Sequence, residues 1–421
     1  LPTKTAATAS TIEFFQDEEP KTINDLIRLR AQEDCSDEPI VAYPSSGTNY
    51  VHYTPKQLDA FAERAASHYS AVIPQRTSSS DPVHVIGLLG PSNLEYLITL
   101  LAITRLGHTV LFLSTRVSEE ASVGLLNSTK ATTLLVDNAF QSMGKKIQGQ
   151  CLVSVQPVCS RVDYDGSKPT TSLPKAYLDS NTENSNIAWI IHSSGSTGLP
   201  KPIYQTHAGN LRNYANNFGL RGYITLPLFH AHGISCLFRA IHSRKLIYMY
   251  NADLPLTAPH LVATLKSHDI QILYAVPYAL KLLAESEEGV KLLASLHLVM
   301  FGGSACPKPI GDKLTAQGVL LVSHYGTTET GQLMTSFRDR ADKDWDFVRP
   351  ADNLKPFLRW EEQAAGSGIY ELVILKGWPS LVASNRPDDA YATKDLFEAH
   401  PTTPDAWRYY ARLDHTLILE K

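Results

Sequence analysis

A segment rich in glycine and hydroxyl groups, HSSGSTGLPKP, runs from His192 to Pro202 and offers the residue types that bind phosphate. Gly195 and Gly198 allow the backbone to turn where a side chain would clash. Hydroxyl groups can donate hydrogen bonds to phosphate oxygens, and Lys201 adds a positive charge. The residues that carry the hydroxyls are Ser193, Ser194, Ser196 and Thr197. The segment therefore predicts a loop that can hold a polyphosphate.

This segment has two competing interpretations. A flexible Ser/Gly-rich connector is common, but it does not explain why the segment directly follows the apolar run 187–191 or why a lysine closes it. A Walker loop requires Gly directly before Lys and Ser or Thr directly after it, whereas Lys201 lies between two prolines. We favour a phosphate-binding loop of another type.

Further polar motifs follow at wide intervals. TLPLFHAHG ends at Gly233, FGGSACP occupies 301–307, SHYGTTETG occupies 323–331, YATKD carries Asp395 and ARLD carries Arg412. Taken alone, each charged residue has an ordinary structural explanation: a carboxylate at a helix N terminus, a turn residue or a surface ion-pair partner. For His232 we favour a satisfied core histidine, and for Cys306 a small packed residue.

In this order, the motifs resemble those of the adenylate-forming superfamily, which comprises acyl-CoA synthetases, luciferases and the adenylation domains of non-ribosomal peptide synthetases. The string SSGSTGLPK is similar to the glycine-rich signature of that superfamily. The resemblance covers more than half of the chain. It implies that a carboxylic acid is activated as its acyl-AMP, with ATP and Mg²⁺ as cofactors and with release of pyrophosphate.

The resemblance also implies an ATP site built from these motifs. Thr328 at the α-phosphate and Glu329 as the Mg²⁺ ligand would act on the transition state, while Thr197 and Lys201 would orient the pyrophosphate. The remaining implied nucleotide contacts are the loop residues Ser193, Ser194, Gly195, Ser196 and Gly198, the adenine-face residues Gly303 and Ser304, the motif residues Tyr325 (stacked on adenine), Gly326 and Thr327, and the ribose-binding Asp395 and Arg412.

The type of acid is predicted from a substitution and from the implied pocket wall. Amino-acid-activating relatives carry an Asp after the Phe of the FHAHG-type motif, and it neutralises the α-ammonium; this chain has His230 there. A mostly apolar and aromatic wall with a few polar groups suits a non-amino aryl acid, so we predict a substituted benzoate-type substrate. The implied wall comprises His230, Ala231, Ile234, Tyr274, Met300, Gly302, His324, Gln332 and Leu333.

The sequence departs from the superfamily pattern at two places. Lys394 and Ala411 occupy the positions before the ribose-binding residues, where Gly is usual, and a β-carbon restricts the left-handed backbone there. The chain also stops at Lys421, near the hinge after which the mobile C-terminal lobe of the superfamily would begin. We therefore expect that lobe and its catalytic lysine to lie outside this chain.

The extended form HSSGSTGLPKPI, with the Lys-Asp and Ala-Arg variants, is most similar to the adenylation domains of fungal peptide-synthetase-like carboxylic acid reductases. That kinship implies a carrier-protein domain, whose phosphopantetheine thiol accepts the acyl group, and an NADPH-dependent reductase, both outside this chain. Two alternatives stay open. One is the adenylation domain of an acyl-CoA ligase or of a thioesterase-terminated synthetase, and the other is a catalytically silent nucleotide- or ligand-binding module.

Hydrophobic periodicity predicts the elements that position these motifs. Apolar residues at helical spacing predict helices over 22–33, 54–72, 94–106, 121–127 and 261–267, and short apolar runs predict strands over 85–89, 109–113, 132–136, 187–191 and 270–275. Alternating strands and helices indicate a parallel sheet. The fold class is therefore α/β with layered sheets and flanking helices, as in the large N-terminal lobe of an adenylation domain.

Two regions lack this alternation. Residues 148–186 are polar with little periodicity and are interpreted as a surface connection. Beyond residue 344, strand-like runs at 368–375, 381–383 and 409–413 predict a smaller β-rich subdomain over 344–421, after α/β subdomains over 1–343.

Composition excludes several classes of protein. With 421 residues, 43% apolar and 19% charged, the chain is typical of globular proteins, and a net charge of −4 does not favour a nucleic-acid partner. Five scattered cysteines without a C-x-x-C pair indicate neither a disulfide framework nor a zinc site, so we expect a reducing, cytoplasmic location. No apolar run is long enough to predict a membrane span.

Overall fold

A computed structural model describes residues 19–169, 171–193 and 199–413. The helices, in chain order, are α1 (Ile23–Gln32), α2 (Pro55–Tyr69), α3 (Leu94–Arg105), α4 (Glu119–Ser128), α5 (Gln141–Gln148), α6 (Arg161–Tyr164), α7 (Ser180–Glu183), α8 (His207–Ala215), α9 (Ala231–His242), α10 (Ala258–Ser267), α11 (Pro277–Ala284), α12 (Glu287–Ser295) and α13 (Lys308–Ala316). Short 3₁₀ turns occur at Asn138–Phe140 and Lys355–Phe357.

The strands form two sheets. In chain order they are β1 (Val41–Ser46), β2 (Asn49–Tyr53), β3 (Val85–Leu89), β4 (Thr109–Leu113), β5 (Thr133–Val136), β6 (Ser154–Pro157), β7 (Ile187–Ser193), β8 (Lys201–Thr206), β9 (Gly222–Ile224), β10 (Ile247–Met249), β11 (Ile272–Ala275), β12 (Leu298–Phe301), β13 (Leu321–Thr327), β14 (Gly331–Thr335), β15 (Phe347–Pro350), β16 (Leu358–Glu362), β17 (Ile369–Ile374), β18 (Tyr391–Ala399) and β19 (Trp407–Arg412).

The smaller sheet has the order β6-β5-β3-β4-β7-β8. Its first five strands are parallel, and β8 returns antiparallel to β7 across the 194–198 segment. The larger sheet has the order β16-β17-β18-β19-β15-β14-β13-β12-β11-β9-β10-β1-β2. Strands β1, β10, β9, β11, β12 and β13 are parallel, the edge strand β2 is antiparallel to β1, and the strands from β14 onward are antiparallel, so β13 lies where the parallel and antiparallel parts meet.

A shared hydrophobic core holds the two sheets together. Strands β3 and β4 of the smaller sheet and strands β9 and β11 of the larger sheet contribute to this core, with α1, α2, α3 and α9. The rings of Phe112, Trp189 and Phe238 form a continuous series across it, with centroid distances of 5.3 and 5.9 Å. Separate cores cover the opposite face of each sheet, which explains why the parallel strands are apolar on both faces.

The predicted α/β class and most predicted elements are confirmed. Helices α1 and α2 begin with the capping boxes of Thr22 and Thr54, whose side chains accept from the third residue of each helix. The run 381–383 is not a strand, so that prediction is wrong. Leu333 and Met334 form a separate small core with Val348, Leu372 and Phe397. The predicted division into subdomains at 343/344 stays a prediction.

The interpretation of 148–186 as a surface connection is also wrong. Strand β6 pairs in parallel with β5, and Tyr164 and Glu183 are buried. The Glu183 carboxylate accepts two hydrogen bonds, at 2.6 and 3.1 Å, from the guanidinium of Arg76. The polar composition of residues 148–186 gave no sign of this contact, because a buried ion pair holds the segment and a periodic apolar face does not.

We predict that Glu183→Gln lowers the free energy of unfolding by about 3 kcal/mol, since it leaves the buried Arg76 cation without its partner. Urea unfolding followed by circular dichroism measures the change. Glu287→Gln, at a side chain that is 94% exposed, is the matched control and should change little. An equal, small effect of both substitutions would contradict the anchoring role of Glu183.

Candidate active site

A cavity of about 1830 Å³ lies between the two sheets. Its wall is formed where β7, β9, β10, β12 and β13 end, which is where ligands bind in open α/β sheets. Among the residues predicted from the sequence, the structure brings the following to this wall: Ser193, His230, Ala231, Gly302, Gly303, Ser304, His324, Tyr325, Gly326, Thr327, Thr328, Glu329, Gln332, Asp395 and Arg412.

Other predicted residues lie elsewhere. Ile234, Tyr274, Met300 and Leu333 pack in the hydrophobic cores, each at most 5% exposed, and their assignment to the acyl-pocket wall stays a prediction. Motif matching gave their positions in sequence, but the side chains point into the packing layer. Lys201 is exposed at the start of β8, directly opposite Ser193 in the strand register. Ser194, Gly195, Ser196, Thr197 and Gly198 lie outside the described residues.

Residues 328–330 form a tight connection from β13 to β14 that is held by backbone contacts. Gln205 donates to the carbonyl of Thr328 at 3.1 Å, and the backbone NH of Val382 donates to the carbonyl of Glu329 at 2.9 Å. A β-carbon on Gly326 would lie 2.3 Å from the carbonyl oxygen of residue 331, so only glycine fits there. The connection therefore presents Thr328 and Glu329 to the cavity in a fixed position.

Asp395 brings two other predicted residues together. The Tyr325 hydroxyl donates to its Oδ2 at 2.8 Å, and Arg412 Nη1 donates to its Oδ1 at 3.3 Å. Burial raises the pKa of Asp395, while these two donors act to lower it. Strand pairing explains the convergence, because Asp395 and Arg412 are directly opposite each other in β18 and β19.

The residue before Asp395 adopts an unusual backbone conformation. Lys394 has φ of 62°, so it adopts the left-handed backbone that its β-carbon was expected to restrict. Its backbone NH donates to the buried carboxylate of Glu371 at 3.1 Å, and the strand register shifts nearby. A left-handed non-glycine residue costs free energy, and this contact helps to hold it in place.

Tyr391 is a wall residue that the sequence did not single out. Burial, and next the negative charge of Glu329, raise the pKa of its hydroxyl. Tyr391 is therefore a neutral hydrogen-bond donor beside the carboxylate at physiological pH. The strand period could have indicated it, since Tyr391, Thr393 and Asp395 alternate along β18 and all line the cavity.

Two histidines lie on the opposite part of the wall. His192 Nε2 accepts from the backbone NH of Ser114 at 3.1 Å, and burial lowers the pKa of His192 to about 4, so its ring is neutral. The ring of His230 lies 6.5 Å away, centroid to centroid. His230 precedes the first residue of α9, so its side chain stands at the N-terminal end of that helix.

His232 is not the satisfied core histidine that the sequence suggested. It lines the cavity, and neither of its ring nitrogens has a hydrogen-bond partner within the described part of the chain. Its ring stacks on that of His324 at a centroid distance of 4.5 Å and an interplanar angle of 11°. Burial lowers the pKa of His232 to about 3. Cys306, in contrast, is the packed residue that was expected.

Within residues 19–169, 171–193 and 199–413, no group of three or more His, Cys, Asp or Glu side chains could hold a metal ion. None of the helices in these ranges is long and apolar enough to cross a membrane.

Comparison with known proteins agrees with this architecture. Residues 28–356 match the family model described as AMP-binding enzyme. An adenylate-forming reductase of Heterobasidion annosum is 30% identical over 373 residues, which cover 82% of this chain and 33% of that protein. A carboxylic acid reductase of Neurospora crassa is 24% identical over 94% of this chain and 40% of its own length. The chain thus spans about a third of the length of these relatives.

Solved structures share the fold. The anthranilate CoA ligase AuaEII in complex with anthranoyl-AMP has a TM-score of 0.75 and 16% identity, over 95% of this chain and 78% of its own. The o-succinylbenzoate CoA synthetase of Bacillus subtilis, in complex with ATP and magnesium ion, has a TM-score of 0.73 and 19% identity, over 94% and 80%.

The fold is that of the large N-terminal α/β lobe of adenylation enzymes. The chain belongs to the AMP-binding enzyme family, the family of adenylate-forming enzymes, and its relatives include fungal adenylate-forming reductases.

The left-handed backbone at Lys394 can be tested with a matched pair of substitutions. Lys394→Asn and Lys394→Val both remove the charged side chain, but Asn tolerates positive φ and Val does not. We predict that the Val variant is less stable than the Asn variant by about 1 kcal/mol in urea unfolding. Equal stabilities would contradict the strained backbone.

Proposed function

We propose that the chain activates a non-amino, aryl carboxylic acid as its acyl-AMP, with release of pyrophosphate. One observation carries this proposal: Thr328, Glu329, Asp395 and Arg412, which are distant in sequence, line the same cavity, and Ser193 at the edge of the 194–198 loop also lines it. Membership of the AMP-binding enzyme family supports the same reaction class. In the proposed arrangement, the subdomains 1–343 carry most of the cavity and 344–421 supply the ribose contacts.

The nucleotide fits the wall in both shape and chemistry. Gly303 has φ of 83°, and no atom lies within 4 Å of the position that its β-carbon would take, so the backbone is open to a flat base. Tyr325 would lie along the adenine, and Gly303 and Ser304 would line its face. The carboxylate of Asp395 and the guanidinium of Arg412 are suited to the two ribose hydroxyls.

Magnesium would be held by Glu329, a cavity-wall carboxylate that is 8% exposed. Mg²⁺ commonly takes one or two carboxylates together with substrate phosphates and water, so the lack of a larger acidic cluster among the described residues agrees with this role. When bound, the ion would neutralise the charge that develops on the phosphates.

The protein acts on the reaction by positioning its groups. The acid's carboxylate oxygen attacks the α-phosphorus as the bond to the pyrophosphate oxygen breaks, and little covalent chemistry falls to side chains. Thr328 would donate to the α-phosphate, and Lys201 with the hydroxyls of the 193–197 segment would orient the departing pyrophosphate. Fixed donors of this type reduce the reorganisation needed in the transition state.

The acid is proposed to lack an α-amino group. His230 occupies the place of the carboxylate that would neutralise an ammonium, and His192 beside it is neutral because burial lowers its pKa to about 4. The related AuaEII structure contains anthranoyl-AMP, the adenylate of an aromatic acid. The first observation supports an acid without an α-amino group, and the second supports an aryl acid.

The subsequent steps are proposed from kinship. The relatives named adenylate-forming reductase and carboxylic acid reductase are much longer than this chain, which leaves room for further domains. We propose that the acyl group passes to the phosphopantetheine thiol of a carrier-protein domain and is reduced there with NADPH.

A second candidate is transfer to coenzyme A. It is favoured by the structural neighbours, several of which are CoA ligases or synthetases. Incubating the full-length protein with ATP, acid and either free CoA or a phosphopantetheinylated carrier domain separates the two. Rapid formation of acyl-CoA, with no acylated carrier by mass spectrometry, would contradict the reductase assignment.

We predict that Glu329→Gln, in the full-length protein, lowers acid-dependent ATP/pyrophosphate exchange by about 100-fold, because one fixed charge at the phosphates is lost. The substitution keeps the size of the side chain. The control is Glu288→Gln on α12, outside the cavity, which should exchange at the wild-type rate. Unchanged exchange in Glu329→Gln would remove this residue from the reaction.

We also predict that a panel of carboxylic acids gives exchange with benzoate-type acids and none above background with α-amino acids. The physical reason is that His230, and not a carboxylate, occupies the position that would neutralise the α-ammonium group of an amino acid. Exchange that depends only on α-amino acids would defeat the assignment of the acid.

A further inference from the structure

Helix α9 turns a polar stripe toward the cavity. His232, Ser235 and Arg239 are spaced by three and four residues, which places them on one face of the helix, and all three line the cavity. The residues between them, such as Cys236 and Phe238, pack in the hydrophobic core. A helix that forms part of a core ordinarily shows an apolar face there, so the polar stripe requires another explanation.

Arg239 at the end of this stripe is 3% exposed. Its Nε donates to the backbone carbonyl of Asn213 at 3.3 Å, and its Nη2 donates to the Asn213 Oδ1 at 2.5 Å. Asn213 in turn donates to the Ser235 hydroxyl at 3.1 Å. These contacts fix the guanidinium in one orientation, and the thiol of Cys236 is a further neutral neighbour of it.

Arg239 is a buried cation whose partners in the described part of the chain are uncharged. Within the described residues no Asp or Glu forms an ion pair with it, and the partners it has are neutral. Buried charges in proteins are ordinarily paired, because taking an ion out of water costs several kcal/mol. The other buried arginine described above, Arg76, has the Glu183 carboxylate. Among the described residues, Arg239 therefore has no carboxylate partner of the kind that Arg76 has.

His232 extends the same polar region. Its ring is neutral, because burial and then the charge of Arg239 lower its pKa to about 3. A neutral imidazole has one N–H donor and one acceptor, and neither has a partner within the described residues. The stripe thus combines a buried cation with unused hydrogen-bonding groups on a cavity wall.

We infer that this stripe is a subsite for a second anionic oxygen group on the acid, a second carboxylate being the best match to a guanidinium. The inference rests on the proposed function and specifies the substrate further. The reacting carboxylate lies toward the N-terminal end of α9, and the second group lies beside Arg239. Helical side chains tilt toward the N terminus, so the guanidinium reaches back along the helix toward the acid.

The test compares acids that differ only in this second group. Benzene-1,3-dicarboxylate and benzene-1,4-dicarboxylate are each compared with the corresponding monoamide, which has the same shape without the charge. We expect at least one dicarboxylate to exceed its monoamide by about tenfold or more in kcat/KM for pyrophosphate exchange by the full-length protein. In Arg239→Gln, which retains an NH₂ donor for Asn213, this ratio should fall to about one.

The ratio of two substrates on one preparation is independent of the folded fraction, so partial misfolding of the variant does not obscure the result. Arg212→Gln, an exposed position on α8, is the matched control and should keep the wild-type ratio. A wild-type ratio near one for both pairs, or a raised ratio that persists in Arg239→Gln, would overturn the subsite.

Failure of the subsite and failure of the proposed function have different signatures. If no acid supports exchange, the proposed function fails, and calorimetry of the dicarboxylates and monoamides with the full-length protein still tests the subsite without turnover. Preferential binding of a dicarboxylate that is lost in Arg239→Gln would support it. Equal binding of each acid and its monoamide, or a preference unchanged by the substitution, would overturn it.

Discussion

The hydrogen bond from the Tyr325 hydroxyl to the Asp395 carboxylate is the contact on which the cavity wall depends. Tyr325 lies in β13, where the parallel half of the large sheet ends, and Asp395 lies in β18 of the antiparallel half. The cross-strand neighbour of Asp395 is Arg412, so one carboxylate fixes groups from three strands. Because β13 also leads directly into the connection that presents Glu329, the same contact aligns the proposed ribose and phosphate groups with each other.

Several features around the cavity cost free energy. Lys394 has a left-handed backbone, burial raises the pKa of Asp395, and Arg239 is a buried cation without an anion among the described residues. In a protein that is stable by only about 5–15 kcal/mol, such costs tend to persist where binding requires them. Their concentration on one wall supports a binding role more strongly than any of them does alone.

The sequence predicted the elements with strong periodicity and the polar residues of the ATP motifs, because both follow from local patterns. It does not indicate the direction of a side chain or a contact with a residue far along the chain. Tyr274 and Met300 lie in β11 and β12, and the core packing of their side chains is seen only in the structure. The burial of Glu183 could not be predicted from its polar neighbours in sequence, because it depends on Arg76, which lies 107 residues away. The spacing of His232 and Arg239 along α9 was visible, but it is also the spacing of an ordinary buried helix face.

The charges of the acyl region have a consequence for specificity that neither the motifs nor the fold gives alone. His192 and His232 are neutral above about pH 5, since burial lowers their pKa values to about 4 and about 3. Within the described part of this region, Arg239 therefore supplies a fixed positive charge that does not change near neutral pH. An acid with an ammonium group would meet that cation and find no aspartate at position 230, so two independent features disfavour it. In the proposed subsite the same cation would attract an anionic substituent, so Arg239 would contribute both to the exclusion of α-amino acids and to the selection of a second acidic group.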